Sequence, residues 1–223
     1  DLPIGQYITF GKFACASTVD NTFDSKLIVV WHSNPAYTWI PYFHYIPEAR
    51  YHGATVVVIA PDYSPSAPFA DVFLPIEPGT DAALLLAACK VVLDEGLIDE
   101  AMVLEQTDLP LAVRKDNGRF LSGPDVDPSL RSDQFFWVGR DGSVIPAPRG
   151  NLALGERAPT LEGRGRVELS DGSEVEVTTV YSLLQERLAA YTPEAASRVC
   201  GVHPSSIEWL ARSFAATPTM VLE

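Results

Sequence analysis

The chain has 223 residues, of which 47% are hydrophobic and 20% charged, and its formal net charge is -13. This composition is typical of a globular protein, and the length suits one large domain or two small ones. The acidic balance argues against a nucleic-acid groove, which needs a basic face, and against docking on an anionic membrane. No apolar run is long enough to span a bilayer, so direct membrane insertion is not expected.

The first predicted elements are two nearly continuous apolar runs, residues 26–31 and 55–59. Such runs are typical of parallel strands that are buried on both faces. Between them, Pro41 and Pro47 forbid one unbroken helix, and Gly53 ends the segment, so we predict a loop with a short helix. Strand, crossover and strand form a βαβ unit, which is almost always right-handed.

Further elements follow in the second part of the chain. Residues 72–76 suggest a third strand, and Thr80 or Asp81 can cap a helix that ends near Gly96. The stretch 123–165 is rich in Gly, Pro and charge and has no sustained period, which indicates an irregular excursion. The remaining predicted elements are helix 82–93, a shorter helix through Leu104, a hairpin that turns at Asp171–Gly172, helices 181–191, 193–199 and 204–216, and a final strand.

Together these elements predict an α/β fold, with an open, largely parallel sheet, flanking helices, an irregular excursion and a β-hairpin. We predict an α/β region over 1–122, the excursion with its hairpin over 123–177, and a helical return over 178–223. Because the chain starts at Asp1 and ends on a strand-like run, we expect an internal piece of a longer polypeptide. Any localisation signal would then lie outside it.

Cysteine usage gives no metal centre. Cys15, Cys89 and Cys200 are far apart in the sequence. None belongs to a closely spaced pair of the kind that holds zinc or an iron–sulfur cluster. The sequence therefore predicts neither a zinc site nor an iron–sulfur site in this chain.

Polar residues follow the first two predicted strands, and ligands of open α/β sheets bind beyond such carboxyl ends. His32, Ser33 and Asn34 follow the first strand, and Asp62 follows the second. A carboxylate there can accept hydrogen bonds from ribose hydroxyls or from the N1–H and N2–H₂ edge of guanine. Asp81, at a helix start, is a second candidate. The alternatives are a turn residue for Asp62 and a helix cap for Asp81.

These segments together resemble the pterin-cofactor domain of molybdenum enzymes in the dimethyl sulfoxide reductase family. The similarity is to catalytic subunits of the branch with nitrate, selenate and chlorate reductases and with dimethyl sulfide and ethylbenzene dehydrogenases. The matching residues are Asn34, Thr38, Pro41, His44, Glu48, Arg50, Tyr51, Gly53, Pro61, Asp62, Tyr63, Ser64, Gly79, Thr80 and Asp81.

The resemblance implies molybdenum carried by two molybdopterin guanine dinucleotides. It implies that Asn34 and its neighbours line one dinucleotide, that Asp62 and Asp81 read its guanosine part, and that Asp1 is the metal ligand and catalytic residue. A carboxylate suits a hard metal ion. The implied cofactor-binding residues are His32, Ser33, Asn34, Thr38, Pro61, Asp62, Tyr63, Ser64, Gly79, Thr80 and Asp81.

For the whole protein, the resemblance implies two-electron oxygen-atom transfer or hydroxylation of a small-molecule substrate, as in anaerobic respiration. Electrons would leave through a [4Fe-4S] cluster in an N-terminal region outside this chain. An iron–sulfur electron-transfer subunit, and a haem or membrane subunit, would be its partners. By the same resemblance the location would be periplasmic, or membrane-associated through those partners.

Two departures from the family pattern bear on specificity. Many relatives carry an Arg and an acidic residue where this sequence has Trp39 and Tyr42, which favours an apolar substrate over an oxyanion. His32 stands where Gly is common. Two other functions remain open: a non-catalytic nucleotide-binding or assembly module of the same fold, and a non-redox hydratase that uses the same cofactor.

Overall fold

The structure, a computed structural model, describes residues 3–11, 18–148, 154 and 159–222. Its helices are α1 (Pro3–Phe10), α2 (Asn21–Asp24), α3 (Pro35–Thr38), α4 (Ile40–Phe43), α5 (Tyr45–Tyr51), α6 (Asp81–Asp94), α7 (Glu100–Gln106), α8 (Gly123–Val126), α9 (Val180–Leu188), α10 (Pro193–Cys200) and α11 (Pro204–Ala216). Its strands are β1 (Leu27–Trp31), β2 (Thr55–Ala60), β3 (Val72–Pro75), β4 (Ala112–Arg114), β5 (Phe136–Val138), β6 (Val144–Pro146), β7 (Arg164–Glu168), β8 (Glu174–Thr179) and β9 (Thr219–Leu222).

The chain forms two compact units: residues up to Ala88 together with those from Pro193 onward, and Cys89–Thr192. The first unit contains a four-stranded sheet in the order β3-β2-β1-β9. All three pairings are parallel, and β1 aligns with β2 from Leu27 opposite Thr55 to Trp31 opposite Ile59. The predicted parallel pairing of the first two strands is confirmed, and so is the predicted fold class.

Strand β1 is buried along its whole length, which explains its continuous apolar sequence. Val29 and Trp31 belong to a core shared with α6, α10 and α11. Ile28 and Val30 point to the other face and share a core with α4 and α5. Helices therefore cover both faces of the sheet, as the run of apolar residues predicts.

The crossover between β1 and β2 consists of three short helices instead of the predicted single one. Pro41 lies in the first turn of α4, where its missing N–H costs no helical hydrogen bond. Pro47 likewise lies in the first turn of α5. Gly53 follows α5 with a φ of 94°, a left-handed conformation that glycine adopts without strain.

An ion pair fastens this crossover to the sheet. Arg50 Nε donates to Asp71 Oδ1 at 2.7 Å, and the backbone N–H of Val56 donates to Asp71 Oδ2 at 2.9 Å. Partial burial of the Asp71 carboxyl favours its neutral form, but the bonds from Arg50 and Val56 outweigh this and hold its pKa below the ordinary value. Asp71 thus joins α5 to β2 just ahead of β3.

The second unit is built from antiparallel strands. Its three-stranded sheet has the order β4-β8-β7, and β5 pairs with β6. Strands β7 and β8 form the predicted hairpin, whose turn has Gly172 at a φ of 81° and the Ser173 N–H bonded to Asp171 Oδ1 at 2.9 Å. Helix α8 and the pair β5–β6 lie in the stretch predicted to be irregular. The three-region division proposed from the sequence stays a prediction.

The last part of the chain contains the helices α9, α10 and α11 and then the strand β9, where the sequence predicts helices and a final strand. His203 precedes α11, and its Nδ1 accepts a hydrogen bond from the Ser205 N–H at 3.3 Å. Across the described residues, no helix has both the length and the apolarity required to cross a bilayer.

Candidate functional site at the carboxyl ends of the parallel strands

The parallel strands β1, β2 and β3 end at one edge of the sheet. Trp31, the last residue of β1, lies opposite Ile59, and Ala60, the last residue of β2, lies opposite Pro75. The loops that follow the strands therefore leave the sheet side by side. In open α/β sheets this edge is where ligands bind.

The first of these loops begins with a strained residue. His32 has a φ of 52°, and among the described non-glycine residues it alone has a positive φ. Its backbone N–H donates to the Ile59 carbonyl at 2.9 Å, which fixes the turn against β2. A left-handed conformation is unfavourable for a residue with a Cβ atom, and such residues cluster at functional sites.

Asn34 links the first two loops. Ser66 Oγ donates to Asn34 Oδ1 at 2.7 Å and accepts from the backbone N–H of Ala36 at 3.2 Å. The carbonyl of Asn34 accepts from Thr38 Oγ1 at 3.1 Å. The Asn34 side chain therefore fixes the conformation of these loops, because it bonds the loop after β1 to the loop after β2.

Asp81 is held by the end of β1. Trp31 Nε1 donates to Asp81 Oδ1 at 2.7 Å, and His32 Nε2 lies 2.6 Å from the same oxygen. Partial burial favours the neutral carboxyl, but the bonds from Trp31, from the Asp81 backbone N–H and from His32 together lower the Asp81 pKa. Asp81 is therefore an ionised acceptor at this edge and not merely a helix cap.

The loop after β2 presents two oxygen groups that have no hydrogen-bond partner among the described residues. Ser64 is 5% exposed, and no hydrogen-bond partner for its buried Oγ occurs within the described residues. Asp62 is exposed, and none of the described residues is hydrogen-bonded to its carboxylate. An unpaired buried hydroxyl is unfavourable, so a group that bonds to it would be stabilised there.

The remaining residues that the sequence predicts for the site also lie at this edge of the sheet. Tyr63 is 65% exposed and meets Phe73 edge to face, with ring centroids 5.1 Å apart. Gly79 has a φ of 79° in the turn before α6, and Thr80 Oγ1 donates to the Glu77 carbonyl at 2.6 Å. Ser33 is half-buried and Pro61 is exposed.

The predicted metal ligand cannot be placed, because Asp1 lies outside the described residues. Among the residues that are described, no group of three or more His, Cys, Asp or Glu side chains is arranged to hold a metal ion. The carboxylates, hydroxyls and amide at this edge suit a nucleotide, whose base and sugar carry many hydrogen-bond donors and acceptors.

Sequence reasoning missed Trp31 as a member of the site. The apolar run predicts Trp31 as part of a buried strand, and the residue is indeed only 6% exposed. A buried tryptophan nonetheless needs a partner for its indole N–H. The need for such a partner is the feature of the sequence that could have indicated Trp31, and in the structure Asp81 is that partner.

Polar groups at the carboxyl edge of an α/β sheet are typical of ligand-binding domains, and the comparisons with known proteins specify the class. Residues 9–199 match the molybdopterin oxidoreductase family. The chain belongs to this family, which implies a molybdenum–pterin cofactor. The family predicted from the sequence is confirmed.

Two relatives illustrate the similarity. The chain is 37% identical over 250 residues to the perchlorate reductase subunit alpha of Dechloromonas aromatica (strain RCB), a match that covers 100% of this chain and 27% of that protein. It is 40% identical over 203 residues to the chlorate reductase subunit alpha of Ideonella dechloratans, which covers 87% of this chain and 22% of that protein. The chain thus spans about a quarter of these relatives.

A solved structure supports the fold. Acetylene hydratase from Pelobacter acetylenicus aligns with 97% of this chain and 20% of its own, with a TM-score of 0.56 and 18% sequence identity. At that identity the likeness concerns the fold alone. The α/β architecture predicted for the chain is therefore confirmed by its own strands and by this neighbour.

Proposed function

We propose that this chain holds the guanosine half of a pterin–guanine dinucleotide at the carboxyl edge of its parallel sheet. In this proposal Asp62 and Asp81 accept hydrogen bonds from the guanine edge or from the ribose hydroxyls. Asn34 shapes the loop on which the nucleotide lies. Ser64 supplies a hydroxyl to the same ligand.

The unpaired Oγ of Ser64 is the observation that carries this proposal. Polar atoms in a protein interior are almost always hydrogen-bonded, and an orphan costs free energy until a partner arrives. Ser64 lies two residues from Asp62, a carboxylate with no described partner, and on the edge where ligands of such sheets bind. A bound nucleotide would supply partners for both groups.

The charge state of the site also supports a ligand rich in donors. Asp81 is kept ionised by Trp31 and His32, and an ionised carboxylate can only accept hydrogen bonds. Guanine presents two adjacent donors, N1–H and N2–H₂, and ribose presents hydroxyls. The residues present thus fit the nucleotide part of the cofactor that the family implies.

At the level of the whole protein, we propose a catalytic subunit of a molybdenum oxidoreductase. When bound, the molybdenum–pterin cofactor supplies two-electron oxygen-atom transfer or hydroxylation, and this chain binds and orients its nucleotide end. Relatives named as alpha subunits of reductases support the redox reading and imply partner subunits. The iron–sulfur cluster, the identity of the partners and the role of Asp1 as metal ligand belong to this proposal.

The nucleotide proposal is tested with Asp62→Ala in the full-length protein isolated with its cofactor. Guanine nucleotide released by acid should fall to about half or less, because a bound donor loses its acceptor in one of two dinucleotides. Asp24→Ala, which removes an exposed carboxylate from α2, is the matched control and should retain the wild-type amount. Wild-type nucleotide and molybdenum content in Asp62→Ala would contradict the assignment.

A redox-dye assay of the same preparation addresses the reaction class. Oxidation of a reduced dye by an oxyanion such as chlorate, or reduction of an oxidised dye by an apolar substrate, supports an oxidoreductase. A protein with full cofactor content that exchanges no electrons with dyes, but hydrates its substrate, would contradict it.

A further inference from the structure

We propose that His32 is a positioning residue that orients the Asp81 carboxylate toward the bound nucleotide. The inference rests on the proposed function, because the ligand it concerns is the guanosine group assigned above. It goes further by naming a residue that acts through another residue.

The strain at His32 calls for a compensating interaction. Its φ of 52° lies in the left-handed region, which a residue with a Cβ atom adopts only when the surroundings hold it there. Glycine would form the same turn without strain, so the turn itself does not explain a histidine. What the histidine adds is a ring, whose Nε2 lies 2.6 Å from Asp81 Oδ1.

The oxygen that receives this contact explains how His32 positions Asp81. Trp31 Nε1 donates to the same atom, Oδ1, at 2.7 Å. Two donors from consecutive residues thus hold one oxygen of the carboxylate, and neither of these two bonds uses Oδ2. Because ligands of parallel sheets lie beyond this edge, a ligand donor can bond to Oδ2.

The pair is also accessible enough to serve a ligand. The side chains of His32 and Asp81 are 40% and 32% exposed, whereas Trp31 is 6% exposed. Trp31 is therefore the buried anchor and His32 the outer donor. A purely structural clamp would not need its outer member at the surface where the ligand binds.

Two substitutions at position 32 separate positioning from turn formation. His32→Gly relieves the backbone strain and removes the ring donor. His32→Gln keeps the strain and returns an N–H at a similar reach from the backbone. If His32 only forms the turn, His32→Gly should bind the nucleotide as tightly as the wild type or more tightly. If His32 positions Asp81, His32→Gln should bind the nucleotide more tightly than His32→Gly does.

The measurement is calorimetric titration of GDP into the full-length protein isolated without cofactor, with thermal unfolding of each variant as the control for folding. We expect His32→Gly to weaken GDP binding about tenfold, since a charge-assisted contact that orients the acceptor is lost. Its unfolding temperature should equal or exceed that of the wild type. His32→Gln should bind GDP within about threefold of the wild type.

Each other outcome has a distinct meaning. Wild-type GDP affinity in His32→Gly overturns the positioning role and leaves the nucleotide site intact. Equal losses in both variants also overturn it, because the returned N–H then has no effect. A wild-type protein that binds no GDP contradicts the proposed nucleotide site itself, and the inference with it.

Discussion

Ser64 and Ser66 are two buried serines, two residues apart, with opposite hydrogen-bonding states. They are 5% and 2% exposed. Ser66 Oγ is bonded to both Asn34 and Ala36, whereas Ser64 Oγ has no partner within the described residues. The two hydroxyls therefore have different roles. The Ser66 hydroxyl stabilises the loops, and the Ser64 hydroxyl is available to a ligand.

Alanine substitutions at the two positions should accordingly have opposite effects. Ser66→Ala should lower the free energy of unfolding by about 1–3 kcal/mol, because it leaves the Asn34 amide oxygen and the Ala36 N–H unpaired. Ser64→Ala should leave stability unchanged or slightly raised, while guanine nucleotide retained by the full-length protein falls. Denaturant unfolding and nucleotide analysis of both variants check this pair. A stability loss in Ser64→Ala as large as that in Ser66→Ala would contradict it.

The ion pair of Arg50 and Asp71 predicts a pH dependence of stability. The folded-state pKa of Asp71 lies below its ordinary value of 3.8, so the unfolded chain takes up the proton first as the pH falls. The stabilisation is therefore fully present above the unfolded pKa and is lost as the pH falls through the folded one.

Asp71→Asn removes this titration and serves as the test. Urea midpoints of wild type and variant should differ at pH 6, and the difference should shrink as the pH falls below 3.8, since protonation removes the same ion pair from the wild type. A gap that stays constant over this range would show that Asp71 does not contribute through its charge.

At the scale of residues, the sequence predicted the polar positions but not their contacts. Asn34, Asp62 and Asp81 were located because they follow apolar runs or matched a family pattern. The bond from Trp31 to Asp81 joins residues 50 positions apart, and the bond from Ser66 to Asn34 joins residues 32 apart. Such pairs depend on the sheet register and the loop paths, which local patterns do not contain.

Among the elements, helix α6 shows how burial divides a continuous apolar segment. Leu84 is fully buried in the core beneath β1, while its neighbour Leu85 is 43% exposed. Leu84→Ala should lower the free energy of unfolding by about 2–5 kcal/mol through lost burial and a residual cavity. Leu85→Ala, the matched control, should cost less than about 1 kcal/mol. Equal losses in denaturant unfolding would contradict this orientation of α6.

Element predictions succeeded where one physical signal dominated. Strands β1 and β2 are five and six residues long and apolar throughout, so their burial is visible in the sequence. Strands β5 and β6 have three residues each, which is too few for a period to emerge. The crossover is predicted as a loop with a short helix because its prolines read as breakers, whereas Pro35 and Pro41 lie in the first turns of α3 and α4.

At the scale of the whole chain, the order of elements explains why the sheet unit depends on distant segments. Strand β9 pairs with β1 from Thr219 opposite Leu27, so the sheet joins the two ends of the chain. The second unit, Cys89–Thr192, is inserted between them. The family match over residues 9–199 extends across this insertion. Parallel pairing requires long connections, and here one connection contains a compact unit.

The central claim is that the carboxyl edge of β1, β2 and β3 holds the guanosine part of the family's cofactor. An electron cryo-microscopy or crystal structure of the full-length protein, isolated with its cofactor, tests this most directly. The account predicts a guanine nucleotide within hydrogen-bonding distance of the carboxylates of Asp62 and Asp81, with Ser64 Oγ bonded to the same ligand. A cofactor whose nucleotide lies elsewhere, with these three side chains in contact only with protein or solvent, would contradict it.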